Sequence, residues 1–346
     1  MLRGEKLKNV KNILSLILVI VFAVFVSNYD EGTQAAASLS MHMVSVSGES
    51  FGIKMHTAGV LVISTAEVQT ESGVKNPAAD VGLKTGDVIT HVNGKAVNKC
   101  NEVSAAIEKS GGKQMILSIR RDDTQKSVAL KPELSASAGT YKAGLWIRDS
   151  SAGIGTVTFT DKAGNFAALG HGVTDVDTHT LLPLKNGEAL QSDIIGFSEA
   201  QKGKAGELYG VLTDTPIGSI TKNTDGGIYG VTKANTASLH YIPVAEPKEI
   251  KRGKATMYTT IDAKGPQAFE VYISFVSRLS AGYKDMIIKV TDENLLKRTG
   301  GILQGMSGSP IVQNGKFVGA LTHVFVNKPE MGYAVFGYKM VNLSKQ

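Results

Sequence analysis

Alternating apolar and polar positions recur along this chain in short runs bounded by glycine. Gly59–Ser64 and Met115–Arg120 read as strands. Between them Pro77-Ala-Ala opens a short helix, Gly86-Asp87 turns into a strand, and Asn93-Gly94 is a hairpin signal. Asn101–Lys109 carries Val103, Ala106 and Ile107 at helical spacing, which predicts a longer helix. Leu134–Thr140 has the small polar composition of a linker. From Ala143 onward strands dominate: Ala143–Ile147, Ile154–Thr160, Glu207–Leu212, Ala255–Thr260, Gln267–Val276, Met286–Val290, Pro310–Val312, Phe317–His323 and Tyr333–Phe336. Many short strands separated by turns predict a mainly β protein, with a barrel or sandwich in the second half.

The N-terminus has a different pattern. Ile13–Val26 is fourteen residues without a charge, preceded by Arg3, Lys6, Lys8 and Lys11. That length suits the core of a signal peptide better than a spanning helix, which needs ~20 apolar residues. Ala35–Ala37 offers a cleavage site, and extension through Tyr29 offers an uncleaved anchor. In both cases the bulk of the chain is expected to be exported, with the basic tail left inside. The predicted organisation is a signal or anchor segment over 1–40, a first domain over 45–133, a linker over 134–142 and a second domain over 143–346.

Composition adds two exclusions. The formal charge is +6, but the four basic residues before position 13, offset by Glu5, supply +3 of it. The remainder is near balance and no basic stripe appears, so no nucleic-acid partner is expected. One cysteine, Cys100, excludes an internal disulfide and a cysteine-based zinc site. The 38 glycines among 346 residues exceed the ~7% average and fit many tight turns.

The candidate chemistry sits at Gly300–Pro310, Gly-Gly-Ile-Leu-Gln-Gly-Met-Ser-Gly-Ser-Pro. An attacking hydroxyl must stand clear of its own backbone while neighbouring amides point at the developing oxyanion. Glycines at 305 and 308 permit that path. The pattern makes Ser307 the nucleophile and the amides of Gly305 and Ser307 the oxyanion hole, as in the nucleophile turn that it resembles in trypsin-like serine proteases. A plain turn between strands would use the same residue types. Of seven histidines, His171 lies between glycines after an apolar run, upstream of the serine, and is the candidate base. His323, in Leu-Thr-His-Val-Phe-Val, reads as a strand residue. Spacing does not choose an acid among Asp175, Asp177, Asp193, Asp214, Asp225, Asp262, Asp285 and Asp292. This chemistry needs no metal or organic cofactor.

Two resemblances sharpen these expectations. Residues 45–133 resemble the PDZ domains of bacterial proteases, which bind extended peptides by adding a strand to a sheet edge. By that resemblance Ser50-Phe-Gly-Ile-Lys-Met is the carboxylate loop and edge strand, with Phe51, Gly52 and Ile53 as peptide-binding residues, although it departs from the usual Gly-Leu-Gly-Phe form. Leu-Gly-His-Gly-Val-Thr-Asp-Val-Asp-Thr at 169–178, the stretch 300–316 and Gly-Ala-Leu-Thr-His-Val-Phe-Val-Asn at 319–327 closely resemble the SpoIVB peptidases of endospore-forming bacteria. The resemblance implies a trypsin-like double β-barrel and a His171–Asp292–Ser307 arrangement. It also implies cleavage of a membrane-associated regulatory protein between the two forespore membranes, processing of a mother-cell sigma factor, and self-cleavage. A peptide or a segment of the chain itself would occupy the PDZ groove. The rival readings are a non-catalytic PDZ scaffold and a broad-specificity Deg-type quality-control protease.

Overall fold

The computed structural model of the protein describes residues 42–122 and 124–346. The expected signal or anchor segment, with its cleavage site at Ala35–Ala37, lies outside the described residues. Among the described residues no helix is long and apolar enough to cross a membrane, which says nothing of strands.

Six strands close a first barrel: β1 (Ser50–Thr65), β2 (Leu145–Thr160), β3 (Asn165–Ala168), β4 (Leu184–Ser198), β5 (Gly206–Thr224) and β6 (Gly227–Thr232). Their antiparallel pairings run β1–β2–β3–β6–β5–β4 and return to β1. Closure removes the unpaired edges that an open sheet would expose. Phe51, Ile53, Met55, Phe166, Leu169, Ala189, Ile220 and Ile228 fill its interior. A second closed barrel follows: β7 (Gly253–Thr260), β8 (Pro266–Val276), β9 (Met286–Val290), β10 (Pro310–Gln313), β11 (Lys316–Phe325) and β12 (Lys328–Phe336). Its core includes Met257, Phe269, Val271, Met286, Ile288, Ile311, Leu321 and Phe336. The C-terminal helix Gly337–Lys345 buries Met340 and Val341 against Phe159, Tyr229 and Phe317, and so ties the two barrels together.

The module read as a PDZ domain is not a bead before the barrels. It is inserted into the first one, between β1 and β2. Strands Val88–Val92, Met115–Arg121 and Thr124–Leu130 extend the sheet from the second half of β1 through the pairs Val60–Ile89 and Val88–Arg120. Gly59 marks the handover. Its φ is +100°, and a Cβ there would lie 2.7 Å from Val88 Cγ1 and 2.8 Å from the Ile89 carbonyl oxygen. The helix Cys100–Lys109 forms as its spacing predicts, burying Val103 and Ile107. Glu102 accepts from the backbone amides of Asn98 and Lys99, closing its first turn. Asp87 is buried and held by Arg121 through a two-pronged ion pair of 2.6 and 2.7 Å.

These pairings run across both expected domain boundaries. Ser50–Thr57 pairs with β2 and β4 in the first barrel. The expected linker contains a β-hairpin: Glu133–Leu134 pairs with Tyr141–Lys142, and Ala136 N–H donates to the Gln69 carbonyl at 2.8 Å. Serine, alanine and glycine favour a tight hairpin turn as readily as a loose connection.

Candidate active site

The nucleophile turn joins Leu303–Gln304, which pairs with the start of β5, to β10. Gly305 and Gly308 have φ of +96° and +97°, the left-handed region that glycine enters without penalty. The turn docks on the first barrel through β2. Thr156 N–H donates to the Ser307 carbonyl, Thr156 Oγ1 to the Gly305 carbonyl at 2.9 Å, and Thr158 Oγ1 to the Gly308 carbonyl at 2.8 Å. These three bonds aim the turn's carbonyls away from the cleft. Among the described residues, neither Gly305 N–H nor Ser307 N–H has an acceptor, whereas Met306 N–H donates to Leu303 O and Gly308 N–H to Leu321 O. Two free amides one residue apart form the pair of donors that an oxyanion needs.

His171 follows β3 through Leu169 and Gly170, both at positive φ. It lines the same cavity as Ser307, Gly305 and Gln304, a cleft of about 440 Å³. Its Nδ1 lies 2.8 Å from the Gly172 carbonyl oxygen. A carbonyl only accepts, so Nδ1 carries the proton and Nε2 keeps a lone pair. Burial lowers the imidazole pKa, and the Gly172 contact only partly opposes this. His171 is therefore neutral at pH 7, in the state that a general base requires. Ser307 Oγ does not reach it in this structure; it donates instead to the Thr322 carbonyl at 2.8 Å.

The lowered pKa has a measurable consequence. The acid limb of kcat/KM is expected below the ordinary imidazole value of ~6.5. The sign for stability agrees. Below ~6.5 the unfolded chain takes up a proton that folded His171 refuses, so this contribution is full above that pH and is lost as pH falls through the depressed folded value. A pH–rate profile with its acid limb above pH 7 would contradict the buried, neutral imidazole.

The structure does not bring Asp292 to His171. Asp292 is the N-cap of the helix Glu293–Thr299, where its Oδ1 accepts from Leu295 N–H at 2.9 Å and its Oδ2 from Glu270 N–H at 3.4 Å. The correction has a local cause: an Asp before Glu-Asn-Leu-Leu is a strong helix-start signal. Asp175, closer in sequence to the histidine, is also committed elsewhere. It pairs with Arg148 and accepts from the amides of Asp177 and Thr178. Its burial raises the carboxyl pKa, but the Thr178 and Arg148 bonds outweigh that and lower it overall. Asp292→Asn keeps a capping oxygen, so turnover and stability are expected within a few-fold of the parent. Asp292→Ala should cost about 1 kcal/mol. A loss near 10⁴ in kcat for well-folded Asp292→Asn, the scale of a triad acid, would instead place this carboxylate on the histidine.

His323 was the residue that sequence patterning undervalued. Its ring centroid is 4.9 Å from that of His171, with the rings tilted by 39°. Although the residue is exposed, its imidazole pKa is held low, first by desolvation and then by His171 and Lys284. Alternation along β11 signals a strand, but not that this position faces the cleft.

Phe51, Gly52 and Ile53 require a second correction. They pair with Gly155, Ile154 and Gly153 on one side and with Gln191, Leu190 and Ala189 on the other, so they have no edge for a ligand. Phe51 and Ile53 point into the barrel core. The strand beside the helix Cys100–Lys109 is instead the start of β2. Leu145–Arg148 pairs with β1 along one edge, and among the described residues has no strand on the other. Ser104, Ile107, Tyr141, Leu145 and Ile147 line a groove of about 630 Å³ there. A missed signal was the order of elements: the groove strand comes after the module, in a run read only as the first strand of the next domain.

Two barrels with a glycine-turn serine and a neutral histidine in one cleft, joined to a peptide-binding type of module, define a serine-hydrolase architecture of the PDZ-bearing class. Residues 139–341 match the family model described as SpoIVB peptidase S55, and residues 50–131 match that of a PDZ domain. The chain belongs to the SpoIVB peptidase S55 family. It is also similar to serine protease HTRA1 of Xenopus laevis, 32% identical over 104 residues, covering 30% of this chain and 22% of that protein. A similar but shorter match is the probable periplasmic DegP-like serine endoprotease of Brucella suis, 33% identical over 86 residues, 23% of this chain and 17% of that one. The chain thus spans about a fifth of the length of these curated relatives. Among solved structures, the active form of the Rv3671c protease from M. tuberculosis is 14% identical, covering 56% of this chain and 72% of that one at a TM-score of 0.34.

Proposed function

We propose that this protein is an exported serine endopeptidase that acts by acyl transfer to water. The carrying observation is the meeting of Ser307, neutral His171 and the two free amides of Gly305 and Ser307 in one cleft. Ser307 Oγ leaves the Thr322 carbonyl and passes its proton to His171 Nε2 as it attacks the peptide carbonyl. The oxyanion takes the amides of Gly305 and Ser307. His171 then returns the proton to the leaving amine, and water hydrolyses the acyl-enzyme by the reverse proton path. The vacated Thr322 carbonyl is free to accept the amide of a substrate strand laid along β11. The Gly172 carbonyl holds the imidazole in the tautomer that a triad acid would otherwise select.

Family membership supports the finer reading. In it the enzyme acts in sporulation signalling, from the space between the forespore membranes, and cleaves a membrane-associated regulator that restrains processing of a mother-cell sigma factor. It cleaves itself as well. In this reading the N-terminal segment serves as the signal or membrane anchor, and the groove beside Leu145–Arg148 takes a peptide or a segment of the chain itself. A fluorophosphonate probe on the full chain tests the catalytic core. Labelling that maps to Ser307 is expected; its absence in processed protein leaves a PDZ scaffold. Cleavage of unfolded, unrelated proteins would favour a quality-control protease over a dedicated signalling one.

A further inference from the structure

Among the described residues, the second-barrel side of the cleft carries no charged residue: apolar Ile302, Leu303, Val324 and Val326 line it beside Gln304, Ser307, Thr322 and His323. Ile302 and Leu303 lead into the nucleophile turn and are each 1% exposed. Ile302 N–H is fixed on the Pro329 carbonyl at 2.8 Å, and Leu303 N–H on Met306 Sδ at 3.4 Å. β11 and the turn after it contribute Val324, half-buried and packed on the same core cluster, and Val326, 46% exposed at the rim. Ala205 closes the side. Among the described residues lining this cleft there is no Asp, Glu, Lys or Arg.

The position of the oxyanion donors decides which substrate side chain meets this wall. A scissile carbonyl aimed at Gly305 N–H and Ser307 N–H, with its own amide on the Thr322 carbonyl, has two of the acyl residue's directions fixed. The Cα chirality then sends its side chain between the segment before Ser307 and the strand after it. That side of the cleft is lined by Ile302, Leu303, Val324 and Val326, with Gln304 and His323 at its exposed edge.

Resting on the endopeptidase reading above, we infer that the acyl-side subsite selects an uncharged apolar residue of the size of valine, leucine or methionine. A charged side chain would be desolvated there with no partner, whereas an aliphatic one gains burial. Apolar pockets discriminate by 10–200-fold for a single methylene. A charged residue should therefore be rejected by on the order of 100-fold or more in kcat/KM.

The test uses the full chain, first titrated with a fluorophosphonate, and then given an equimolar peptide library read by mass spectrometry. Cleavage after Val, Leu, Ile or Met, with Lys, Arg, Asp and Glu depleted, is expected. Val324→Asp should admit Lys and Arg at that position, and Val326→Asp, at the exposed rim, serves where Val324→Asp does not fold. Peptidyl phosphonates that differ only in this side chain should label Ser307 faster with the valine form than with the lysine form. A titrated enzyme that cuts equally well after Lys or Glu overturns the subsite while leaving the peptidase reading intact. Absence of both labelling and cleavage overturns the peptidase reading and the subsite with it.

Discussion

Ser307→Ala is expected to abolish peptide hydrolysis, lowering kcat by on the order of 10⁶, the loss found when a serine-protease nucleophile is removed. The fold should survive. Ser307 is only half-buried, and its Oγ makes a single hydrogen bond, to the Thr322 carbonyl. The loop's position comes from its backbone, through Thr156, Thr158 and Leu321. His171→Ala should lose a comparable factor, because nucleophile and base act as a unit, and the double variant should be little worse than either alone. Circular dichroism with single-turnover kinetics checks both halves of the expectation. Residual turnover above a thousandth of the parent in Ser307→Ala would assign the nucleophile elsewhere.

Gly308→Ala is expected to damage both fold and site. At φ of +97° a Cβ would lie 2.2 Å from the Thr156 carbonyl oxygen and 2.5 Å from Leu169 N. Both obstacles are backbone, so no side chain can rotate out of the way. Strain of this kind, with the overpacking it forces, costs about 2–5 kcal/mol. The shift required moves β2 away from the turn, and with it the amide of Ser307. Denaturant unfolding should show a lower midpoint, and probe labelling of the folded fraction should slow. A variant as stable and as reactive as the parent would mean that the two barrels meet more loosely at this point.

The serine turn was legible in the sequence because its chemistry is local: glycines on both sides of a serine state their backbone requirement without reference to the rest of the chain. His171 was legible for the same reason, through Gly170 and Gly172. What joins them is not local, and the sequence offered no acid by spacing. Asp292 looked like a partner only by resemblance, while the residues after it announced a helix start. The alternation of Phe51, Ile53 and Met55 marked a strand correctly, but an inward-facing row looks the same in either sheet. Its partners lie more than 90 positions away, on β2 and β4, and no short window reports them. The double barrel was predicted in kind, and the insertion into its first half was not.

That insertion changes what a chain break would do. A single nick anywhere between Gly59 and Gly144 divides the polypeptide, yet the N-terminal piece keeps Ser50–Thr57 stitched into the cylinder along both flanks. The two fragments should migrate separately once denatured and travel as one particle under native conditions. Self-processing within the module would thus leave a clipped enzyme whose cleft is still assembled, with the peptide groove and the catalytic half no longer joined by an unbroken tether.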